Sequence, residues 1–385
     1  MNMERILYFD NAATTFPKPV SVLERVNSAI RFRGGNPGRS AHRLSVAASD
    51  EVLDCREKVA SFFGGGSDNV VFTLNATYAI NLALKAVLKK GDHVLISDIE
   101  HNSVLRPVAA LAERGFITYD IYKASSEPEE VLSSIRENLN KNTALVCACH
   151  HSNVCNLLQP IGDIGRFCRR HGIKTLVDAS QSAGCFPIDI KNDDIDILCA
   201  PGHKGLYGIT GCGFVIFGDK YDFGTDTNTF AEGGNGVASK ELSMPSFLPE
   251  RFEAGTLAVP AIAALSAGID FVKGIGVDRI REHDRRLFRM AEYELSRIHG
   301  ITVHDHTPGP ILLVSADSLP SEELAARLDG HGICVRAGFH CAPLAHKKLG
   351  TPEKFGACRV SFGAFNTEKE VFELCRAFEN IMKYT

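Results

Sequence analysis

The chain has no CxxC pair among its twelve cysteines, no apolar run near the length of a membrane span, no strong charge of either sign and no internal repeat. Cysteines that are scattered rather than paired read as small buried hydrophobes with at most one reactive exception, in a compartment that keeps thiols reduced, and not as a disulfide framework. A membrane span needs roughly 18–20 apolar residues, and none is present; the opening stretch MNMERILYFDNAATT also lacks an apolar signal core with a small-residue cleavage site. A cytoplasmic chain without a membrane partner is the expectation. A net charge of −4 offers no field for nucleic acid or an anionic surface, which leaves a small molecule as the fitting partner.

What is present is an ordinary globular balance, 44% apolar and 23% charged over 385 residues. Single cores stop growing at about 250–300 residues, so two domains are expected. From Val70 to Phe217, short β-rich runs (VVFT, HVLIS, FITYDIY, TALVCAC, KTLVDAS, DILCA, GFVIF) alternate with helical patterns such as AINLALKAVL and IGDIGRFCRRH. That alternation predicts an α/β fold with crossover units on a mostly parallel sheet. The stretch Ala231 to Thr256 is too rich in Gly, Pro and Ser for a regular element, whereas VPAIAALSAGIDFVKGIG opens with Pro and closes on Gly as a capped helix does. The tail, with a long charged helix, strands GPILLVS and ACRVSFG and a last amphipathic helix, predicts a small α+β domain. The expected division is 14–262 for the large domain, with 1–13 and 263–385 forming the small one.

Two positions carry chemistry. Lys204 stands in the Gly-rich turn GHKGLYG directly after an apolar strand, where α/β proteins place ligands. Asp178 ends the strand TLVD, too apolar to face water, so its carboxylate needs a partner. A helix cap would satisfy it. So would pyridoxal phosphate, which needs an Asp on its ring nitrogen and a lysine for a Schiff base.

In order along nearly the whole chain, YFDNAATT, ATYAINLAL, EHNSV, HSNV, VDASQS, GHKGLYG, RFEAGT, RAGFHCAPL and CRVSFGAFNT resemble the motifs of class V aminotransferase-fold enzymes, specifically the cysteine desulfurases and selenocysteine lyases. The resemblance implies the fold type I of pyridoxal-phosphate-dependent transferases, with a large domain on a mostly parallel seven-stranded sheet. It implies that Lys204 carries the cofactor and moves the substrate's α-proton, that Asp178 pairs with the ring nitrogen and Gln181 with the ring hydroxyl oxygen, and that His101 stacks on the ring face. Asn153 would contact the ring oxygen or the substrate. Ala76, Thr77 and His203 would bind the phosphate at the start of the helix beginning near Thr77, and Thr256 would reach the phosphate of a second subunit in a homodimer.

Cys341 stands where the family keeps the nucleophile that takes sulfur from L-cysteine as a persulfide; selenocysteine is the other substrate the resemblance allows. Arg336 and His340 are its sequence neighbours, and nearby positive charge favours a thiolate. Arg359 occupies the carboxylate-binding position, where a guanidinium fork suits a planar anion, with Arg336 in support. The short stretch from Cys341 to Arg359 resembles the group that hands sulfur to a docked acceptor protein. The chain departs from the family at Asn75-Ala76-Thr77, usually Gly-Thr-Thr, and at Pro201, usually Ser or Thr; both changes remove phosphate ligands. Selenocysteine lyase, epimerase or aminotransferase action on the same cofactor, or a non-catalytic sulfur relay or scaffold, are the alternatives. No metal is expected: in CACHHSNVC the cysteines alternate on a strand while the histidines follow on a loop, and His304 and His306 sit in a turn.

Overall fold

The computed structural model describes residues 6–219 and 228–384; residues 1–5, 220–227 and 385, which the expected domains take in, lie outside the described residues. The chain enters through β1 (Leu7–Tyr8), α1 (Val20–Phe32) and α2 (Arg43–Phe63). It then builds its main sheet from β2 (Val70–Thr73), β3 (His93–Ser97), β4 (Thr118–Tyr122), β5 (Thr143–Cys149), β6 (Lys174–Asp178), β7 (Ile197–Pro201) and β8 (Gly213–Phe217). Between these strands run α3 (Ala76–Val87), α4 (Asn102–Glu113), α5 (Pro128–Glu137) and α6 (Ile161–Arg170). The strand order is β2-β8-β7-β6-β5-β3-β4, seven strands with β8 alone antiparallel to its neighbours. This is the expected mostly parallel α/β sheet.

Both faces of the sheet are covered, which is why its central strands are apolar without interruption. Leu198 and Ala200 of β7 and Phe214 and Ile216 of β8 face the core under α2 and α6, while Ile197, Cys199, Val215 and Phe217 face the core under α3 and α4. Side chains alternate between the faces with a period of two. The apolar α7 (Val259–Ile275) closes the first of these cores and is followed by the charged α8 (Val277–Leu295). No single helix among the described residues is long and apolar enough to cross a membrane; α7 and α8 meet that test only when joined, across a bend of 77°.

A second sheet of four antiparallel strands has the order β12-β13-β10-β9. This part of the chain runs β9 (Ile301–Val303), β10 (Ile311–Ala316), α9 (Ser321–Asp329), β11 (Ile333–Cys334), β12 (Arg336–Gly338), α10 (Pro343–Leu349), β13 (Ala357–Ser361) and α11 (Glu368–Lys383), with β11 outside the four-stranded sheet. Helices α8, α9 and α11 pack on it around Leu287, Phe288, Leu324 and Phe378, and α11 starts with a reciprocal capping box between Thr367 and Glu370. The N-terminal β1 pairs in parallel with β11, so the chain's beginning is stitched to its end.

The loop after β7 is fixed by a close approach. A side chain at Gly268 of α7 would strike the Leu206 carbonyl and come within 2.9 Å of Gly208 N, so this helix reaches the loop carrying Lys204 only because position 268 has no Cβ. Gly268→Ala gains about 1 kcal/mol of helix propensity but forces overpacking that costs about 1–3 kcal/mol. Net destabilisation in urea unfolding is the expected result; an Ala variant more stable than wild type would contradict the close contact.

Candidate active site

The C-terminal ends of the parallel strands deliver the first two groups. Asp178 is the last residue of β6, in register with Cys149 of β5 and Cys199 of β7, and is only 3% exposed. One of its carboxylate oxygens accepts the Ser180 N–H at 2.9 Å. Lys204 follows three residues beyond the end of β7 and lines, with Asp178, a cavity of about 240 Å³. Burial pushes the Lys204 amine down to about 8; Asp178 opposes that shift, and Arg359 and Arg336 reinforce it. The lysine can therefore give up and regain a proton near neutral pH.

His101, Asn153, Gln181, His203, Ala76 and Thr77 line the same cavity. His101 is the N-cap of α4: its Nδ1 accepts the Ser103 N–H at 3.0 Å and lies 2.8 Å from Ser103 Oγ. Capping and cavity lining coexist, because the cap uses one ring nitrogen and fixes the plane of the ring. Burial drives this imidazole down to about 4 against the pull of Asp178, so it is neutral. Gln181 Nε2 donates to the Ala12 carbonyl at 2.9 Å, leaving its second N–H. At the start of α3, Asn75 Oδ1 accepts from Tyr78 N at 3.0 Å, while the N–H groups of Ala76 and Thr77 precede the first intrahelical bond. Pro201 borders this end of the cavity. His203 Nδ1 and Asn153 Oδ1 are buried without partners.

Cys341 sits in the turn between β12 and α10 and is partly exposed. Its own carbonyl accepts from Asn102 N at 2.7 Å, and the preceding His340 carbonyl accepts from Asn153 Nδ2 at 2.7 Å. Both bonds tie the turn to residues flanking the cavity. His340 and Cys341 are both left-handed, with φ of 51° and 57°, a conformation costing about 1–2 kcal/mol per non-glycine residue. Arg336 Nη2 lies 3.9 Å from Cys341 Sγ. The expectation that His340 adds a second positive charge is corrected: burial, reinforced by Arg359, pushes its imidazole down to about 2, and its ring nitrogens face His346 and the Arg336 carbonyl.

Arg359, 1% exposed, has part of its fork in use: Nη2 donates to Asp10 Oδ1 at 2.7 Å and Nη1 to the Asn153 carbonyl at 3.0 Å, while Nε has no partner. Thr256 is not at this cavity. It is exposed, accepts from Asn36 Nδ2 at 3.1 Å, and borders a separate cavity of about 280 Å³ beside Phe72 and Tyr78. Five further residues escaped the sequence reading: Ser103, Ser180, His151, Glu100 and Asp10. Ser103 and Ser180 stand inside EHNSV and VDASQS, so their motifs were visible though their contacts were not. Glu100 is fully buried, accepts from Ser97 Oγ at 2.6 Å and from Cys149 N at 2.7 Å, and is pushed up to about 8 by burial.

His304 and His306 turn to Ser315 Oγ (2.8 Å) and Glu292 (2.7 Å). Among the described residues no group of three or more His, Cys, Asp or Glu side chains is arranged to hold a metal.

The family model for class V aminotransferases matches residues 7–374. A probable cysteine desulfurase of Methanothermobacter thermautotrophicus is 33% identical over 97% of this chain and 94% of its own length. A probable cysteine desulfurase of Halalkalibacterium halodurans is 31% identical over 100% of this chain and 95% of its own. Among solved structures, the apo cysteine desulfurase of Thermococcus onnurineus superposes with a TM-score of 0.88 at 29% identity, covering 99% of this chain and 95% of that one.

Burial of so many imidazoles has a consequence for acid stability. His150 and His151 are pushed down to about 3, His101, His203 and His346 to about 4, and His340 to about 2, in each case first by burial. Below their unfolded value near 6.5 the unfolded chain binds these protons and the native chain does not, so stability falls as pH falls from about 6.5 towards 4. Glu100 and Asp284, pushed up to about 8, act in the opposite sense but are outnumbered. The urea midpoint should drop between pH 6.5 and pH 5; an unchanged or higher midpoint at pH 5 would refute the burial of neutral imidazoles.

Proposed function

The chain belongs to the class V aminotransferase family, and from that premise we propose that it is a pyridoxal-phosphate-dependent cysteine desulfurase. It takes sulfur from L-cysteine onto Cys341 as a persulfide and leaves L-alanine. The observation carrying this reading is the hydrogen-bonded attachment of the Cys341 turn, through Asn102 and Asn153, to the cavity that holds Lys204 and Asp178. Through these bonds the turn bearing the proposed nucleophile is held next to the cavity lined by the proposed proton carrier.

The donor set fits the cofactor. The cavity offers a carboxylate, an amine, a capped aromatic plane and a helix N-terminus, and the partnerless His203 Nδ1 and Asn153 Oδ1 border it. When bound, pyridoxal phosphate supplies an electron sink for charge developing on the substrate's α-carbon. Lys204 Nζ would hold it, Asp178 would face its ring nitrogen, and Gln181 its ring oxygen. His101 would cover the ring and exclude water. The phosphate would rest on the amides of Ala76 and Thr77 and on His203, with the helix end favouring its charge. With Pro201 giving neither hydroxyl nor N–H, more of that task falls to backbone amides and to the partner subunit's Thr256.

Substrate chemistry then falls to four side chains. Arg359 and Arg336 receive the carboxylate, Arg359 through the Nε that the structure leaves unpaired. Lys204 Nζ takes the α-proton, a task suited to an amine held near 8. Cys341 Sγ, 3.9 Å from Arg336 Nη2, forms the S–S bond with the substrate's sulfur while the C–S bond breaks and its electron pair stays with the β-carbon; the proton that the Cys341 thiol gives up goes to the β-carbon and Lys204 returns the α-proton, completing alanine.

The proposal includes a two-fold dimer, supported by the exposed apolar side chains Leu23, Ile30 and Phe32 on α1 and Leu44, Val46 and Leu53 on α2. Division into domains of 14–262 and of 1–13 with 263–385 is part of it, as is a sulfur-acceptor protein at the Cys341 turn. The cytoplasm, which keeps thiols reduced, suits twelve free cysteines.

The test is release of alanine and sulfide from L-cysteine with a thiol reductant, after confirming bound cofactor by absorbance. Cys341→Ala should retain the cofactor and lose both products. Lys204→Ala should lose the lysine-linked absorbance and at least ~10²-fold in turnover. Product formation unchanged in Cys341→Ala would overturn the desulfurase reading in favour of another reaction on this fold.

A further inference from the structure

Behind the Cys341 turn lies a chain of hydrogen bonds that the reaction does not touch. His340 Nε2 is 3.2 Å from the Arg336 carbonyl, His340 Nδ1 is 3.0 Å from His346 Nε2, and His346 Nδ1 is 2.8 Å from Thr351 Oγ1. The two imidazoles stack with planes 10° apart. His340, His346 and Thr351 are 2%, 2% and 7% exposed, so water does not compete for these bonds.

The direction of every bond is determined. A carbonyl oxygen only accepts, so His340 Nε2 carries the proton and, in the neutral ring, its Nδ1 accepts. His346 Nε2 must then donate, its Nδ1 must accept, and the Thr351 hydroxyl donates to it. Burial keeps both rings neutral, with His346 pushed down to about 4 and His340 to about 2. The charged and titratable groups facing the pair are Arg336 from β12, Arg359 from β13 and His304 beyond β9, each opposing protonation, while the Phe339 ring meets His346 edge-on.

We propose that His346, set by Thr351 and acting through His340, is the positioning residue that holds Cys341 and Arg336 in their reactive arrangement. His340 is the first of the two adjacent left-handed residues and Cys341 the second. Strained backbone of this kind persists only where surrounding contacts over-determine it. The His340 ring is anchored on one side by the carbonyl of Arg336, the residue whose guanidinium lies against Cys341 Sγ, and on the other by His346. Loss of the His346 donor leaves His340 Nδ1 buried and unpaired, frees the ring to turn, and lets both the turn and the Arg336 contact relax. His346 itself touches neither substrate nor cofactor.

This inference rests on Cys341 being the reacting thiol, and the experiment separates the two. In the holoenzyme, the rate at which iodoacetamide alkylates Cys341 is followed by peptide mapping at fixed pH, alongside kcat and KM for L-cysteine and the cofactor's absorbance. In His346→Leu, alkylation of Cys341 and kcat should each fall about tenfold, with KM for L-cysteine raised as Arg336 shifts and the absorbance unchanged. His346→Gln, which keeps an N–H for His340 Nδ1, should recover most of both. Alkylation and kcat at wild-type levels in folded His346→Leu would overturn the positioning role, as would a Gln variant no better than Leu. If His346→Leu does not fold, Thr351→Val removes the hydroxyl that bonds His346 Nδ1 and lies 3.4 Å from the His346 carbonyl, and should slow alkylation about two- to threefold; no change there would equally overturn it. Loss of the desulfurase reading shows up separately, as wild-type turnover that survives Cys341→Ala.

Discussion

The pocket depends on how Asn153 is held. Its backbone carbonyl accepts from Arg359, its side-chain amide donates to the carbonyl before Cys341, and Arg359 in turn is paired with Asp10. A guanidinium buried to this degree carries an effective desolvation penalty of several kcal/mol, so Arg359 keeps its place only while both partners keep theirs. Once Arg359 is fixed, Asn153 is fixed, and the turn bearing Cys341 is located relative to the ends of β5, β6 and β7. Asn153, four residues beyond the end of β5, thus joins the edge of the large sheet's loops to β13 and to the turn that follows β12.

Charge in the pocket is sparse and well defined. Burial keeps the imidazoles of His101, His203, His340 and His346 neutral, and Glu100 holds its proton beside Asp178. Asp178 and Lys204 face each other across the cavity, while Arg359, paired with Asp10, and Arg336 lie behind it beside the Cys341 turn. In such an arrangement the neutral rings offer planes, donors and acceptors whose directions are fixed, and the amine of Lys204, pushed down to about 8, is the group that can exchange a proton near neutral pH. The same burial that neutralises the rings makes the fold sensitive to acid, so functional tuning and stability are linked through one cause.

Much of this was legible in the sequence because it is written locally. Strands of the main sheet appear as unbroken apolar runs since both faces are covered, and the Gly-rich turn around Lys204 and the strand-ending Asp178 each fit within a few residues. What escaped is what crosses the chain. Nothing near Arg359 announces Asp10, and nothing in EHNSV says that Glu100 reaches the amide of Cys149 on another strand. His340 was misread for the opposite reason: adjacency to Cys341 suggested a charge, but His346 and the Arg336 carbonyl decide which way its ring faces. Thr256, exposed and away from the cavity in one chain, cannot be placed by local pattern at all.

The Asp10–Arg359 pair joins residues 349 positions apart, and β1 closes against β11 from the same two ends of the chain. Contacts of such sequence separation carry the largest loop-closure entropy and form late. During synthesis, Lys204 and Asp178 leave the ribosome long before Arg359 exists, so the first two groups of the cavity are made before the buried cation that locates the Cys341 turn, and only the finished backbone carries both ends of the Asp10–Arg359 clasp.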